Sequence, residues 1–140
     1  MKAKLRQVNG LTLVGKGDSN HWVALDTVEH LGGTDAGTKP MELILLGLGG
    51  CTAMDVLSIL KKKRTPITGF EMEVDAEQAE NFPKVFTKIT VKYIFYGDKT
   101  RIKTTDIEHA MELSANVYCS VSAMLKATAD IRYEYEIKEA

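Results

Sequence analysis

The sequence predicts an α+β fold in which antiparallel sheets pack around two long helices, in the order β-β-β-α-β-β-α-β. Three observations carry that prediction. Residues 38–64 form one long apolar segment with helix signals at both ends. Residues 70–77 and 131–137 alternate apolar and polar side chains, the period of a strand with one wet face. Asn9-Gly10 lies between two short strand-like runs, the pattern of a two-residue hairpin. Runs of strands with interspersed long helices favour an antiparallel α+β arrangement over a parallel doubly wound sheet.

In chain order, the spacing predicts strands over 3–8 and 11–16 around that hairpin, and a third over 21–28. Residues 29–39 read as a flexible connection with Gly32, Gly33 and Gly37. The segment lacks the P-loop spacing and the GxGxxG pattern, so phosphate binding is not expected. The first helix follows. Pro40 suits a first turn, and Glu42 places negative charge near the positive end of the dipole. Lys61, Lys62, Lys63 and Arg64 complement its carbonyl end as a solvated terminus, and Pro66 stops it. Leu43, Ile44, Leu45, Leu46, Leu48, Met54, Val56, Leu57, Ile59 and Leu60 cover its whole circumference. Such a helix must be buried all round. A membrane span is rejected, because the run is near the minimum spanning length and is interrupted by Asp55 and three glycines.

Phe70, Met72, Val74 and Ala76 form the inner face of the next strand, and Asn81 to Pro83 a turn. A long strand over 85–96 carries Val85, Thr87, Ile89, Val91, Tyr93 and Phe95 on one side. Thr105 and Glu108 read as a capping box opening a second helix over 105–128. A last strand has Ile131, Tyr133, Tyr135 and Ile137 on one face.

The 140 residues, 44% of them hydrophobic, fit a single soluble domain over 1–140. A domain of that size hardly has enough chain to wrap the first helix completely, so a partner subunit is expected to cover it. The net charge of −1 sets up no field for nucleic acid. The N-terminus has no apolar signal region, so a cytoplasmic, reduced setting is expected. Three scattered histidines give no metal-ligand spacing, and no metal site is expected.

The chemistry centres on the two cysteines. Gly47, Cys51, Asp55 and Ser58 share one small, polar face of the first helix. Ala115, Cys119, Ser122 and Ala123 share a small-residue stripe on the second. If the stripes face each other, the thiols meet at a helix–helix seam. The alternative from spacing alone is that each cysteine is a small buried hydrophobe.

The segments GLGGCTAMDVLSILKKKR and YCSVSAML, with the Pro-x-Glu-Leu entry to the first helix, resemble the OsmC/Ohr family, and within it the YhfA-like subgroup. That family includes the osmotically inducible protein C and the organic hydroperoxide resistance proteins. The resemblance covers essentially the whole chain. It implies an intertwined homodimer with the central helices buried between subunits, and no bound cofactor. It also implies reduction of organic hydroperoxides by a thiol pair, recharged by an external dithiol. By that match Cys51 corresponds to the peroxidatic cysteine and Cys119 to the resolving one, with their disulfide closing inside one subunit.

The sequence departs from the family in one respect. Active members use an upstream Arg and a helix Glu ten residues before the first Cys. Here no Arg lies between Arg6 and Arg64, Met41 holds the Glu position, and Glu42 is half a turn out of phase. Lys16, Lys39, His21 and His30 are the candidate replacements for the activating cation. Asp55, one turn after Cys51, disfavours a thiolate there. Two function classes follow: a thiol peroxidase acting on organic hydroperoxides, or a non-catalytic module holding a small apolar or thiol ligand.

Overall fold

The structure, a computed structural model, describes residues 1–140. The chain clusters into two compact units, Met1–Leu45 and Leu46–Ala140. The expected element order is present, except that the second helix is broken.

The first unit is a three-stranded antiparallel sheet, β1 (Ala3–Asn9), β2 (Thr12–Gly17) and β3 (Val23–Leu25), in the order β1-β2-β3. Gly10 takes the positive φ of 53° that the hairpin needs. The third strand is shorter than the predicted 21–28, and the reason is Asp26. Its carboxylate accepts from the amides of Thr27 (2.7 Å), Thr34 (3.2 Å) and Ala36 (3.2 Å), and from the hydroxyls of Thr12 (2.8 Å) and Thr34 (2.7 Å). The Thr27 amide is therefore turned away from the ladder, and the loop amides of Thr34 and Ala36 fold back onto the strand's end. The segment expected to be a flexible connection is instead folded around one carboxylate, with a single 3-10 turn at Glu29–Leu31. Gly33 passes so close to the Thr27 carbonyl that an added Cβ would lie 2.0 Å from its oxygen.

Helix α1 spans Pro40–Lys63, as its end signals predict. Lys39 caps it, and Glu42 reaches back to the Lys39 amide at 3.0 Å, the reciprocal half of a capping box. At the other end Arg64 adopts φ 57°, and the Thr65 amide donates to the Leu60 carbonyl at 3.0 Å, a Schellman closure.

The second unit is a sheet of β4 (Ile67–Gln78), β5 (Phe86–Gly97) and β6 (Asp130–Lys138), in the order β4-β5-β6. β4 and β5 pair antiparallel, with Phe70 opposite Phe95 and Val74 opposite Val91. β5 and β6 pair in parallel, from Lys88 opposite Asp130 to Tyr96 opposite Lys138, a departure from the all-antiparallel expectation. The helical connection between them is long enough for the crossover a parallel pair requires. Ile89, Val91, Tyr93 and Phe95 are fully buried, as the alternation predicts. Near the start of β5, however, Phe86 is buried and Thr87 exposed, because a bulge at Glu77–Gln78 shifts the phase.

One stripe of α1, Leu48, Gly49, Thr52, Val56 and Leu60, is buried. Gly49 brings the helix against β4. A Cβ there would meet Val74 Cγ2 at 3.3 Å and Met72 Sδ at 3.4 Å. The rest of the helix is not enclosed by its own chain. Leu46 is 64% exposed and Met54 74%, so the all-round burial expected from the sequence is not met within one chain.

The second helix, predicted over 105–128, is two helices. α2 runs over Thr104–Leu113, a π-helical turn over Ser114–Tyr118, and α3 over Ser120–Leu125. The predicted Thr105–Glu108 capping box does not form. Lys103 is the cap residue, and the Glu108 carboxylate accepts instead from the Tyr135 hydroxyl at 2.9 Å.

Candidate functional site

The site is built where α1 meets the break between α2 and α3. Cys51 and Asp55 are one turn apart on α1, so they face the same way. Cys119 lies 68 positions after Cys51 and takes an extended conformation (φ −71°, ψ 101°) that ends the π-helical turn. It is also the cap residue of α3. Its sulfur accepts from the Ser122 amide at 3.4 Å, and its carbonyl accepts from the Ser122 hydroxyl at 3.0 Å. The break thus frees the thiol from a continuous helix and aims it at α1. One thiol sulfur each from Cys51 and Cys119 and a carboxylate oxygen of Asp55 all lie within 4.8 Å of one another. Both cysteines are free; Cys119 is buried and Cys51 half-buried.

The seam expected between two small-residue stripes therefore exists at its centre but not along its length. Ala115 lies in the π-helical turn, Cys119 at the break, and Ser122 and Ala123 on α3, so they do not form one helical stripe. The stripes anticipate that the two thiols meet, and the i, i+4 spacing puts Asp55 beside Cys51; neither shows the helix break behind this cluster of two thiols and a carboxylate. It arises because a distant element returns beside an i, i+4 pair.

Burial pushes the Cys51 thiol above its ordinary pKa, and the adjacent Cys119 and the Asp55 carboxylate push it the same way. The Val121 amide, donating to the Cys51 sulfur, opposes them. No cation figures among these influences.

A chain of hydroxyls supports Asp55. Ser114 Oγ donates to Asp55 Oδ2 at 3.0 Å, Thr52 Oγ1 lies 2.8 Å from Ser114 Oγ, and the Tyr93 hydroxyl lies 2.5 Å from Thr52 Oγ1. Thr52, Tyr93 and Ser114 are all fully buried. Because the Ser114 proton goes to the carboxylate, Ser114 accepts from Thr52, and Thr52 accepts from Tyr93. Burial pushes the Tyr93 pKa up to about 12, so it keeps the proton it donates. The sequence reading missed all three hydroxyls. Thr52, adjacent to Cys51 inside an apolar helix, was the available signal.

Beside Asp55 opens a cleft of about 340 Å³, lined by Asp55, Ser58, Ile59, Lys62, Leu113 and Tyr118. It offers apolar walls with one cation and one carboxylate.

The other candidates occupy local roles. Glu42 and Lys39 close the N-terminus of α1, and their charged groups lie 4.0 Å apart. His30 is exposed on the 3-10 turn, and His21 is exposed between β2 and β3. Lys16 bonds Asn20 and lies over the Trp22 ring, 4.7 Å from its centroid.

The profile of the OsmC-like protein family matches residues 33–134. Protein YhfA of Escherichia coli K12 is 36% identical over 140 residues, covering all of both chains. Among solved structures, a hypothetical protein from Aquifex aeolicus VF5 superposes with a TM-score of 0.85 at 29% identity, covering 99% of this chain and 96% of that one. An organic hydroperoxide resistance protein OsmC from Legionella pneumophila shares the fold at a TM-score of 0.70 and 15% identity, covering 96% of this chain and 95% of that one.

Proposed function

The chain belongs to the OsmC-like family, and on that premise we propose that it is a thiol-dependent peroxidase reducing organic hydroperoxides in oxidative stress defence. The observation that carries this reading is the approach of the Cys51 and Cys119 sulfurs to within 4.8 Å inside one chain. The Cys51 thiolate attacks the outer oxygen of the hydroperoxide. The O–O bond breaks, the alcohol leaves with a proton, and Cys51 becomes a sulfenic acid. The Cys119 sulfur attacks it, water leaves, and a disulfide forms. An external dithiol then restores both thiols by exchange. The cleft beside Asp55, one turn along α1 from Cys51, has an apolar side of Ile59, Leu113 and Tyr118 that suits an organic hydroperoxide over hydrogen peroxide.

The working unit in this reading is a cytoplasmic homodimer. Leu46 and Met54 on α1 are large, apolar and uncovered, as are Val117, Tyr118 and Met124 around the break. A patch of this kind is typical of a subunit interface. Light scattering at low micromolar concentration should give twice the chain mass; a folded monomer would refute the dimer.

A second reading, a non-catalytic module holding a small apolar or thiol ligand, is favoured by one observation. The forces on the Cys51 thiol raise its pKa on balance, and no cation offsets them. One experiment separates the two. Treating reduced protein with one equivalent of tert-butyl hydroperoxide should produce a Cys51–Cys119 disulfide by peptide mass mapping, reversible by dithiol. Cys51→Ser should abolish turnover, and Cys119→Ser should trap a sulfenic acid at Cys51. Two free thiols after treatment, with peroxide loss no faster than with dithiol alone, would leave the binding module standing.

A further inference from the structure

We propose that Cys51, Cys119 and Asp55 form a binding site for a tetrahedral divalent ion of the zinc class, with its fourth position left to a water or a ligand thiol. This inference does not depend on peroxide chemistry, because the same thiols can hold an ion whether or not they react with an oxidant.

The donor set fits. Two sulfurs and a carboxylate oxygen bind zinc at about 2.3 Å and 2.0–2.2 Å. At tetrahedral angles the donors then stand roughly 3.5–3.8 Å apart. The three atoms here lie within 4.8 Å of one another before any ion draws them in. About 1 Å of closure remains, within reach of small side-chain rotations. Two thiolates select against magnesium and calcium, and a carboxylate as third donor selects against copper(I), leaving zinc, cobalt(II) and cadmium.

The surroundings fit as well. Metal-binding donors are held by hydrogen bonds from behind. Ser114 Oγ holds Asp55 Oδ2 at 3.0 Å, leaving the other oxygen for the ion, and Thr52 and Tyr93 brace Ser114. The Ser122 amide holds the Cys119 sulfur at 3.4 Å. Asp55 also lines the neighbouring cleft, which opens the carboxylate side of the cluster to solvent. Charge points the same way. Three donors that can each be negative converge with no cation among the groups acting on Cys51. On binding, both thiols release their protons to solvent, and two thiolates, one carboxylate and the dication leave a net −1.

The test uses the whole reduced protein and stoichiometric Co²⁺. The expected result is one ion per chain, with thiolate-to-cobalt charge-transfer absorption and the strong visible bands of tetrahedral cobalt. Zn²⁺ should bleach both and protect both thiols from a thiol-titrating reagent. In competition with a chromophoric chelator, Ser114→Ala should weaken zinc binding by about 10–100-fold, and Cys51→Ser or Cys119→Ser by more. Protein with both thiols capped by iodoacetamide should bind no ion, with circular dichroism to check that the capped protein keeps its fold. Absence of the charge-transfer band, or equal zinc affinity in wild type and both cysteine variants, would overturn the site. Peroxide turnover enters none of these readouts, so the metal site and the peroxidase reading fail separately.

Discussion

Asp55→Asn isolates the electrostatic problem at the centre of the site. The Asp55 carboxylate lies within 4.8 Å of both sulfurs, and its charge is one of the forces that push the Cys51 thiol up, after burial and Cys119. At that distance two unit charges repel by roughly 0.9 kcal/mol in water and about 3.5 kcal/mol at an effective dielectric of 20. Cys51 is only half-buried, so the lower end applies, about 1 kcal/mol. That corresponds to roughly fivefold more thiolate at neutral pH. Asparagine keeps the shape and still accepts from Ser114, so packing changes little. The measurement is the rate of Cys51 alkylation by iodoacetamide, followed peptide by peptide in the presence of EDTA. Only the thiolate reacts. With the thiol pKa raised, the wild-type rate should climb about tenfold per pH unit from pH 6 upwards and level off only above the ordinary thiol range. The Asn variant should run about fivefold faster through neutral pH and converge with wild type at high pH. An Asn variant that alkylates at the wild-type rate or slower across pH 6–8 would refute the claim that Asp55 suppresses the thiolate.

Three further outcomes follow from other parts of the chain. Thr52→Val strands the fully buried Tyr93 hydroxyl and should cost about 1–3 kcal/mol in urea unfolding; an unchanged midpoint would mean the hydroxyl chain contributes nothing to stability. Arg64→Gly relieves a left-handed residue at the end of α1, and it should stabilise by about 0.5–1 kcal/mol, raising the melting temperature by a few degrees; a lower melting temperature would contradict this. The hydrogen bonds of Thr34 and Thr27 hold the Asp26 carboxyl well below the usual carboxylate range. Its contribution is therefore complete above the unfolded pKa near 3.8 and is lost as pH falls below that value. Asp26→Asn should speed hydrogen exchange at the Thr34 and Ala36 amides at neutral pH, with the gap from wild type closing in acid; equal exchange at neutral pH would argue against the carboxylate as the centre of that loop.

The parts of the fold legible from sequence are those governed by local rules. The Asn9-Gly10 hairpin, the Pro40 start of α1 and the alternation of β4 each depend on residues close together in the chain, and each is present. The parts not legible depend on a distant partner. Glu108 has the right spacing for a capping box, but Tyr135 takes its carboxylate. The third strand stops early because Asp26 captures amides up to ten positions away. The parallel pairing of β5 with β6 is a matter of where the crossover connection lands, which periodicity does not encode. The circumferential apolarity of α1 was legible, but its own chain leaves Leu46 and Met54 exposed.

The site shows the same division, and it explains why the break at Cys119 matters. The Cys51–Asp55 pair is visible as an i, i+4 spacing. The third member is legible as a thiol that meets Cys51 at a seam, but its local geometry is not: a regular helix over 105–128 would leave Cys119 within a turn, its amide bonded to Ala115. Instead the Cys119 amide bonds to the Ser114 carbonyl at 2.9 Å, one residue further back, and the widened turn ends there. The Ser114 side chain, at the start of the same turn, bonds Asp55 and lies beside Thr52. Lys126 then ties α3 to the far side of the break by donating to the Ala115 carbonyl at 2.6 Å. A residue that weakened this break would therefore move Cys119 and Ser114 together. Asn116, Val117 and Tyr118, all weak helix formers, fill the turn. Replacing the three with alanine favours the regular helix; the expected result is slower Cys51–Cys119 disulfide formation. Disulfide formation at the wild-type rate in that variant would show that the thiol pair does not depend on the break.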